Sequence, residues 1–135
     1  MQKRSFLTEQ QIEVLKLREL GLTQKEISEK IGTTRENVSI IEKRGRTNIE
    51  RSRETLKEWR RIKAPIIIKI DKGTDILNIP KQIFDEADRK GIKVKSNLIE
   101  ILTRLGMDKR GLIKNRILIG DLEVLIMNDG EVRLY

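Results

Sequence analysis

The chain has 135 residues with neither cysteine nor histidine, which excludes disulfides, thiol nucleophiles, Ser-His-Asp catalysis and the usual zinc ligand sets. Its 29 Lys and Arg against 21 Asp and Glu leave a formal net charge of +8, which favours nucleic acid or another anionic surface as partner. Four aromatic residues (Phe6, Trp59, Phe84, Tyr135) are too few for the stacking platforms that grip single strands, and no apolar run approaches the roughly 20 residues of a membrane span.

Apolar residues follow helical spacing up to Ala64-Pro65; beyond it come β-branched runs and turn signals. Pro65 ends the preceding helix and biases Ala64 toward extended backbone, so a domain boundary is expected there, between residues 1–64 and 65–135. Thr8 and Gln11 form a capping box for a first helix that runs to Leu20 and stops at Gly21. Its Ile12, Val14, Leu15, Leu17 and Leu20 wrap most of the circumference, which predicts packing on more than one side. Thr23 and Glu26 open a second helix to about Lys30, Thr33 and Glu36 a third to near Arg44, and Thr47 and Glu50 a fourth to about Lys63. On the fourth, Ile49, Leu56, Trp59 and Ile62 form an apolar stripe that reads as core before dimer interface, a reading that an exposed Trp59 would change.

In the second half Ile66 to Ile70 predicts a strand with a turn at Asp71-Lys72-Gly73. Pro80 suits position N1 of a helix ending at Gly91; residues 92–94 are extended, and Ser96 caps another helix that stops at Gly106. Leu112–Ile119, Leu122–Met127 and Glu131–Tyr135 are the closing strands, joined by the hairpin signals Gly120-Asp121 and Asn128-Asp129-Gly130. The expected fold class is therefore α+β: an N-terminal four-helix helix-turn-helix domain followed by a small mixed α/β domain with a C-terminal antiparallel β-meander.

The helix-turn-helix reading rests on one run. The second and third helices are separated only by Ile31-Gly32-Thr33; Ser28 is small where the helices cross, and Gly32 suits a left-handed turn. Ile27, Ile31, Val38 and Ile41 then point inward. An ordinary helical hairpin is the alternative, but a small residue, Gly and Val together at these offsets favour DNA binding. In that geometry the third helix, about Thr34 to Arg44, enters the major groove and presents Thr34, Arg35, Glu36, Ser39, Ile40 and Lys43 to base edges. Arg35 suits guanine N7 and O6, Glu36 cytosine N4, and the methyls of Thr34 and Ile40 a thymine methyl. Outward Ile40 has a second reading, packing on the fourth helix, and Asn37 reads either as a base contact or as a cap. The backbone contacts expected are Thr23, Gln24, Thr33, Arg44, Arg46, Arg51 and Arg53.

The run SFLTEQQIEVLKLRELGLTQKEISEKIGTTRENVSIIEKRGRTNIERSRETL resembles the archaeal Tfx-type DNA-binding proteins continuously over about residues 4–60. GLTQKEI, GTTRENVSIIEKR and the following NIE carry most of the likeness, which continues more weakly through GTDILNIPKQIFDEADRKGIKVK. The resemblance implies a transcription regulator with an N-terminal helix-turn-helix, and leaves the C-terminal half without a firmly assigned activity. Ser28 stands where such proteins usually have Ala and is still small. Gly45 also replaces a usual Ala and is expected to loosen the link between the third and fourth helices.

No catalytic residue, metal site or cofactor is expected. Asp85, Glu86 and Asp88 sit beside Arg89 and Lys90 as a solvated face, and Asp71, Gly73 and Asp75 lack the bidentate Glu of a calcium loop. The chain reads as a binding protein, not an enzyme. The expected partners are double-stranded DNA and a second copy paired through the C-terminal half, with sensing of a small-molecule effector and contact with the transcription machinery as other roles for that half. The start MQKRSFLTEQQ lacks the apolar stretch of a signal peptide, so a cytoplasmic protein is expected. A protein-interaction module that docks a protein partner through the same fold is the alternative; outward Arg35, Lys43 and Arg46 argue against it. Residues 1–65 hold 16 basic and 10 acidic side chains and residues 66–135 hold 13 and 11, so the excess of charge is concentrated in the first half.

Overall fold

Thr8 opens helix α1 (Glu9–Glu19) with the expected reciprocal cap: its hydroxyl accepts from the Gln11 N–H, and the Gln11 carboxamide accepts from the Thr8 N–H. Thr23 and Glu26 do the same for α2 (Gln24–Ile31). The computed structural model describes residues 4–135 and divides the chain into two units, one up to Lys57 and one comprising Glu58–Tyr135.

The core of the first unit is Val14, Leu17, Ile27, Val38 and Ile41, flanked by Leu22 and Ile31. Burial of each such aliphatic contributes roughly 1.5–3 kcal/mol. Only one face of α1 is covered: Gln11, Val14 and Leu17 are buried, whereas Ile12 and Leu20 are exposed, so the expected packing on several sides is not found.

The expected third and fourth helices are a single element, α3 (Arg35–Lys63), so the described residues of the N-terminal half form three helices rather than four. The reason lies at Gly45. It is buried against α1, where a Cβ would come 3.1 Å from Leu15 Cδ1 and 3.4 Å from Gln11 Cβ. That close approach of the α3 backbone to the Leu15 and Gln11 side chains offsets the ~1 kcal/mol that glycine costs inside a helix. Thr47 and Glu50 therefore lie mid-helix and cap nothing, and Gly45 loosens no link. The apolar stripe further along α3 is not core either. Leu56 and Ile62 are exposed, and Trp59 is 55% exposed with the Lys63 ammonium 5.5 Å from its ring centroid.

In the second unit β1 (Ile66–Ile70) is followed by α4 (Ile79–Arg89) and α5 (Leu98–Asp108), then by short strands β2 (Ile113–Lys114) and β3 (Ile117–Leu118), and by β4 (Leu122–Ile126) and β5 (Val132–Leu134). The main sheet is antiparallel in the order β1-β4-β5. Its register sets Ile66 opposite Ile126, Ile68 opposite Val124 and Ile70 opposite Leu122, while Val124 and Ile126 face Leu134 and Val132. All of these residues share one side of the pleat. They pack with Ile79, Ile83 and Ala87 of α4 and Ile101 and Leu105 of α5, which is the one-faced packing on two helices that the alternation predicts.

Three details depart from expectation. Asn97, not Ser96, caps α5, its carboxamide accepting from the Glu100 N–H at 2.8 Å. Gly106 does not stop that helix, which continues to Asp108. Residues 112–119 are not one strand of a meander but the β2–β3 hairpin, apart from the main sheet. Its turn residues Asn115 and Arg116 both have positive φ, 49° and 67°, the twist that a two-residue hairpin requires. The Arg116 guanidinium grips Asp75 through Nε and a terminal nitrogen at 3.0 and 2.9 Å, which secures this turn.

Candidate nucleic-acid interface

The site is built on the turn between α2 and α3. Gly32 ends α2 with φ 73° and ψ 41°, a left-handed conformation that side chains with a Cβ resist. Ser28 is buried beside it, and its hydroxyl folds back to donate to the Lys25 carbonyl at 2.6 Å. It therefore demands no partner from α3. The cap of α3 falls one residue later than expected: the Thr34 hydroxyl accepts from the Asn37 N–H at 3.1 Å. The Asn37 carboxamide in turn donates to the Thr33 hydroxyl at 2.9 Å, so Asn37 and Thr33 hold the turn.

With the turn set, Val38 and Ile41 point into the core and Thr34, Arg35, Glu36, Ser39, Ile40 and Lys43 are all exposed. Ile40 is 48% exposed, and the segment expected as a separate helix continues α3 and does not fold back over it. Lys43 stands on a crest between two grooves. One is lined by Gln24, Ser39, Glu42, Arg46, Thr47 and Glu50; the other by Gln11, Ile40, Arg44, Thr47, Asn48 and Arg51. Most of the expected base-facing and backbone-facing side chains are thus gathered around one stretch of α3. Arg53 lies outside both grooves, its guanidinium 3.6 Å from Glu50. Thr23 is engaged as the cap of α2, and the N–H and hydroxyl of this same residue hold the Glu26 carboxyl below its usual range.

The residue that sequence reasoning missed is Glu42. It is 7% exposed, yet charged, on the face of α3 that also carries Val38, Ile41 and Gly45. Its Oε1 accepts from Gln24 Nε2 at 3.0 Å and lies 3.0 Å from Arg18 Nε; its Oε2 accepts from Arg46 Nε at 2.8 Å. Burial pushes the carboxyl up, but the hydrogen bonds from Gln24 and Arg46 and the charges of Arg18 and Arg46 outweigh it and hold Glu42 below its usual range. Arg18 is anchored here by a terminal nitrogen that donates to the Leu22 carbonyl at 2.9 Å, while its buried Nε faces Glu42 as an ion pair without a hydrogen bond. The signal was present as Glu42 and Arg46 at i, i+4, with Glu42 one turn beyond Val38 on the inner arc.

Two helices joined by a tight left-handed turn, the second of them outwardly polar and basic on a small apolar core, define a helix-turn-helix protein. The family model described as the C-terminal part of the TFX DNA-binding protein matches residues 52–134, and that of sigma-70 region 4 matches residues 5–51. The chain belongs to the Tfx family of DNA-binding proteins, as its motifs imply. It is 36% identical over 132 residues to the DNA-binding protein Tfx of Methanothermobacter thermautotrophicus, an alignment covering 98% of this chain and 96% of that protein. It is also 44% identical over 128 residues, 95% of this chain and 93% of the other, to a candidate transcriptional regulatory protein of Methanocaldococcus jannaschii. Among the described residues, no helix is long and apolar enough to cross a membrane.

Proposed function

We propose that the chain is a sequence-specific regulator of transcription that reads double-stranded DNA with the N-terminal half of α3 in the major groove. The observation that carries this reading is the exposed row Thr34, Arg35, Glu36, Ser39, Ile40 and Lys43, set on a rigid core and flanked by grooves that hold Gln24, Arg44, Arg46 and Arg51. Arg35, with two parallel donors, suits a guanine; Lys43, Arg44, Arg46 and Arg51 suit phosphates, with Thr23, Thr33 and Arg53 at the edges of the footprint. The domain that does this covers residues 1–64, and residues 65–135 pair two copies across two half-sites. Exposed Ile99 and Met107 on α5 supply apolar surface for that pairing, and sensing of a small-molecule effector is the alternative role of the same unit. Its work is binding, not catalysis, and its place is the cytoplasm.

Selection of bound duplexes from fragmented genomic DNA tests the reading. A recurrent sequence with two-fold symmetry and half-sites about one helical turn apart is expected. Enrichment of random fragments would refute it.

A further inference from the structure

We infer that Glu42 is a positioning and specificity-determining residue for the DNA contact, an inference that rests on the reading of α3 as the recognition helix. The carboxylate lies at the floor of the groove between the N-terminus of α2 and α3, and takes one N–H from each of two side chains that line it. Gln24 spends one hydrogen of its amide on Glu42 Oε1 and keeps the other; Arg46 spends its Nε and keeps both terminal nitrogens. Arg46 is 52% exposed, so the remaining donors reach solvent, where a phosphate would lie.

Because Glu42 accepts only, it also decides which end of the Gln24 amide faces inward. It orients the nitrogen toward the carboxylate. One amide donor from α2 and a donor fork from α3 are thereby fixed before DNA arrives, and neither side chain has to be ordered on binding. The second effect is on charge. Glu42 offsets part of the positive potential of Arg18 and Arg46, which attracts any phosphate regardless of sequence. Fixed donors favour the correct register, and a muted charge disfavours all other registers.

The test compares wild type, Glu42→Gln and Gln24→Leu of the full chain on a duplex selected as above and on its scrambled counterpart, over a series of salt concentrations. Glu42→Gln keeps the shape but removes the negative charge that offsets both guanidinium groups. Its binding to scrambled DNA is expected to strengthen about 3–10-fold at low salt, with the salt slope steeper by about one phosphate equivalent. The preference for the selected duplex is expected to fall about tenfold. A folded Glu42→Gln protein with the preference and slope of wild type overturns the inference.

Gln24→Leu leaves the Arg18–Glu42–Arg46 pairs intact and so does not depend on the stability of the charge variant. It is expected to weaken the selected duplex about tenfold and the scrambled one less than twofold; equal losses also overturn the inference. A wild-type chain that binds both duplexes alike refutes the underlying reading, and this inference with it. That outcome is distinguished by being visible before any variant is made.

Discussion

Replacing Gly32 by alanine isolates the cost of the turn. An added Cβ at Gly32 meets no atom within 4 Å, so there is no clash to relieve and only the backbone conformation at φ +73° is penalised. A left-handed residue with a Cβ costs about 1–2 kcal/mol, and alanine recovers about 0.4–1 kcal/mol by narrowing the unfolded ensemble. The net loss expected for Gly32→Ala is therefore about 0.5–1.5 kcal/mol, roughly 3–10 °C in the melting temperature of a unit of this size. Gly130 provides the contrast. It has φ +88°, and its added Cβ would overlap the Lys93 carbonyl, so that the backbone of the β4–β5 turn or of residues 93–95 must move. The Lys95 N–H to Gly130 carbonyl bond at 3.0 Å is then at risk, and Gly130→Ala should cost about 3 kcal/mol or more. Urea unfolding followed by circular dichroism, with amide exchange at Ile27 and Val38 reporting on the first unit, measures both. Equal losses for the two variants, or a loss above about 3 kcal/mol for Gly32→Ala, would refute the argument that space and backbone conformation act separately here.

Ile27→Ala should destabilise the first unit by about 2–5 kcal/mol, since Ile27 is fully buried between the helices; a loss below about 1 kcal/mol in the same urea assay would contradict this core. Arg35→Ala should cost about 1–3 kcal/mol on the selected duplex and relax preference at one base pair, as read by competition with single-base variants. If it weakened scrambled DNA equally, Arg35 would be a phosphate contact and not a base reader. The pH dependence of stability should report Glu42. Its folded pKa lies below the ordinary 4.5, so its stabilisation is present above that value and is lost as pH falls through the lower, folded one. Acid titration of stability should therefore be flatter in Glu42→Gln, and identical acid limbs would count against the buried triad.

Local signals carried the helix starts at Thr8 and Thr23 because a capping box is a reciprocal bond within four residues, complete in the sequence itself. The same spacing at Thr47 and Glu50 carried no such meaning. Inside a helix, residues three apart are simply neighbours, and α3 runs unbroken through Gly45, whose packing on α1 joins residues far apart in sequence. The candidate interface was legible for a similar reason: its exposed row follows from where Val38 and Ile41 must go. Glu42 was not, because a glutamate between Ile41 and Lys43 looks solvated until Arg18 and Gln24, 24 and 18 residues away in sequence, are brought to it. The β2–β3 hairpin was hidden likewise. Asn-Arg is a weaker turn signal than Asn-Gly, and the Asp75–Arg116 pair that supports it spans 41 residues.

The contact of Gly45 with Leu15 also constrains how this head can drift in sequence. An alanine at position 45 puts a methyl 3.1 Å from the Leu15 δ-carbon, closer than carbon atoms settle, so the leucine must give way by a few tenths of an ångström or be replaced. Positions 15 and 45 should accordingly vary as a pair among relatives: where 45 bears a methyl, 15 should hold a slimmer or differently branched side chain, and where 45 is bare, leucine fills the space. Volume shared between two helices is inherited jointly, and a single exchange at either site is the step that selection should resist.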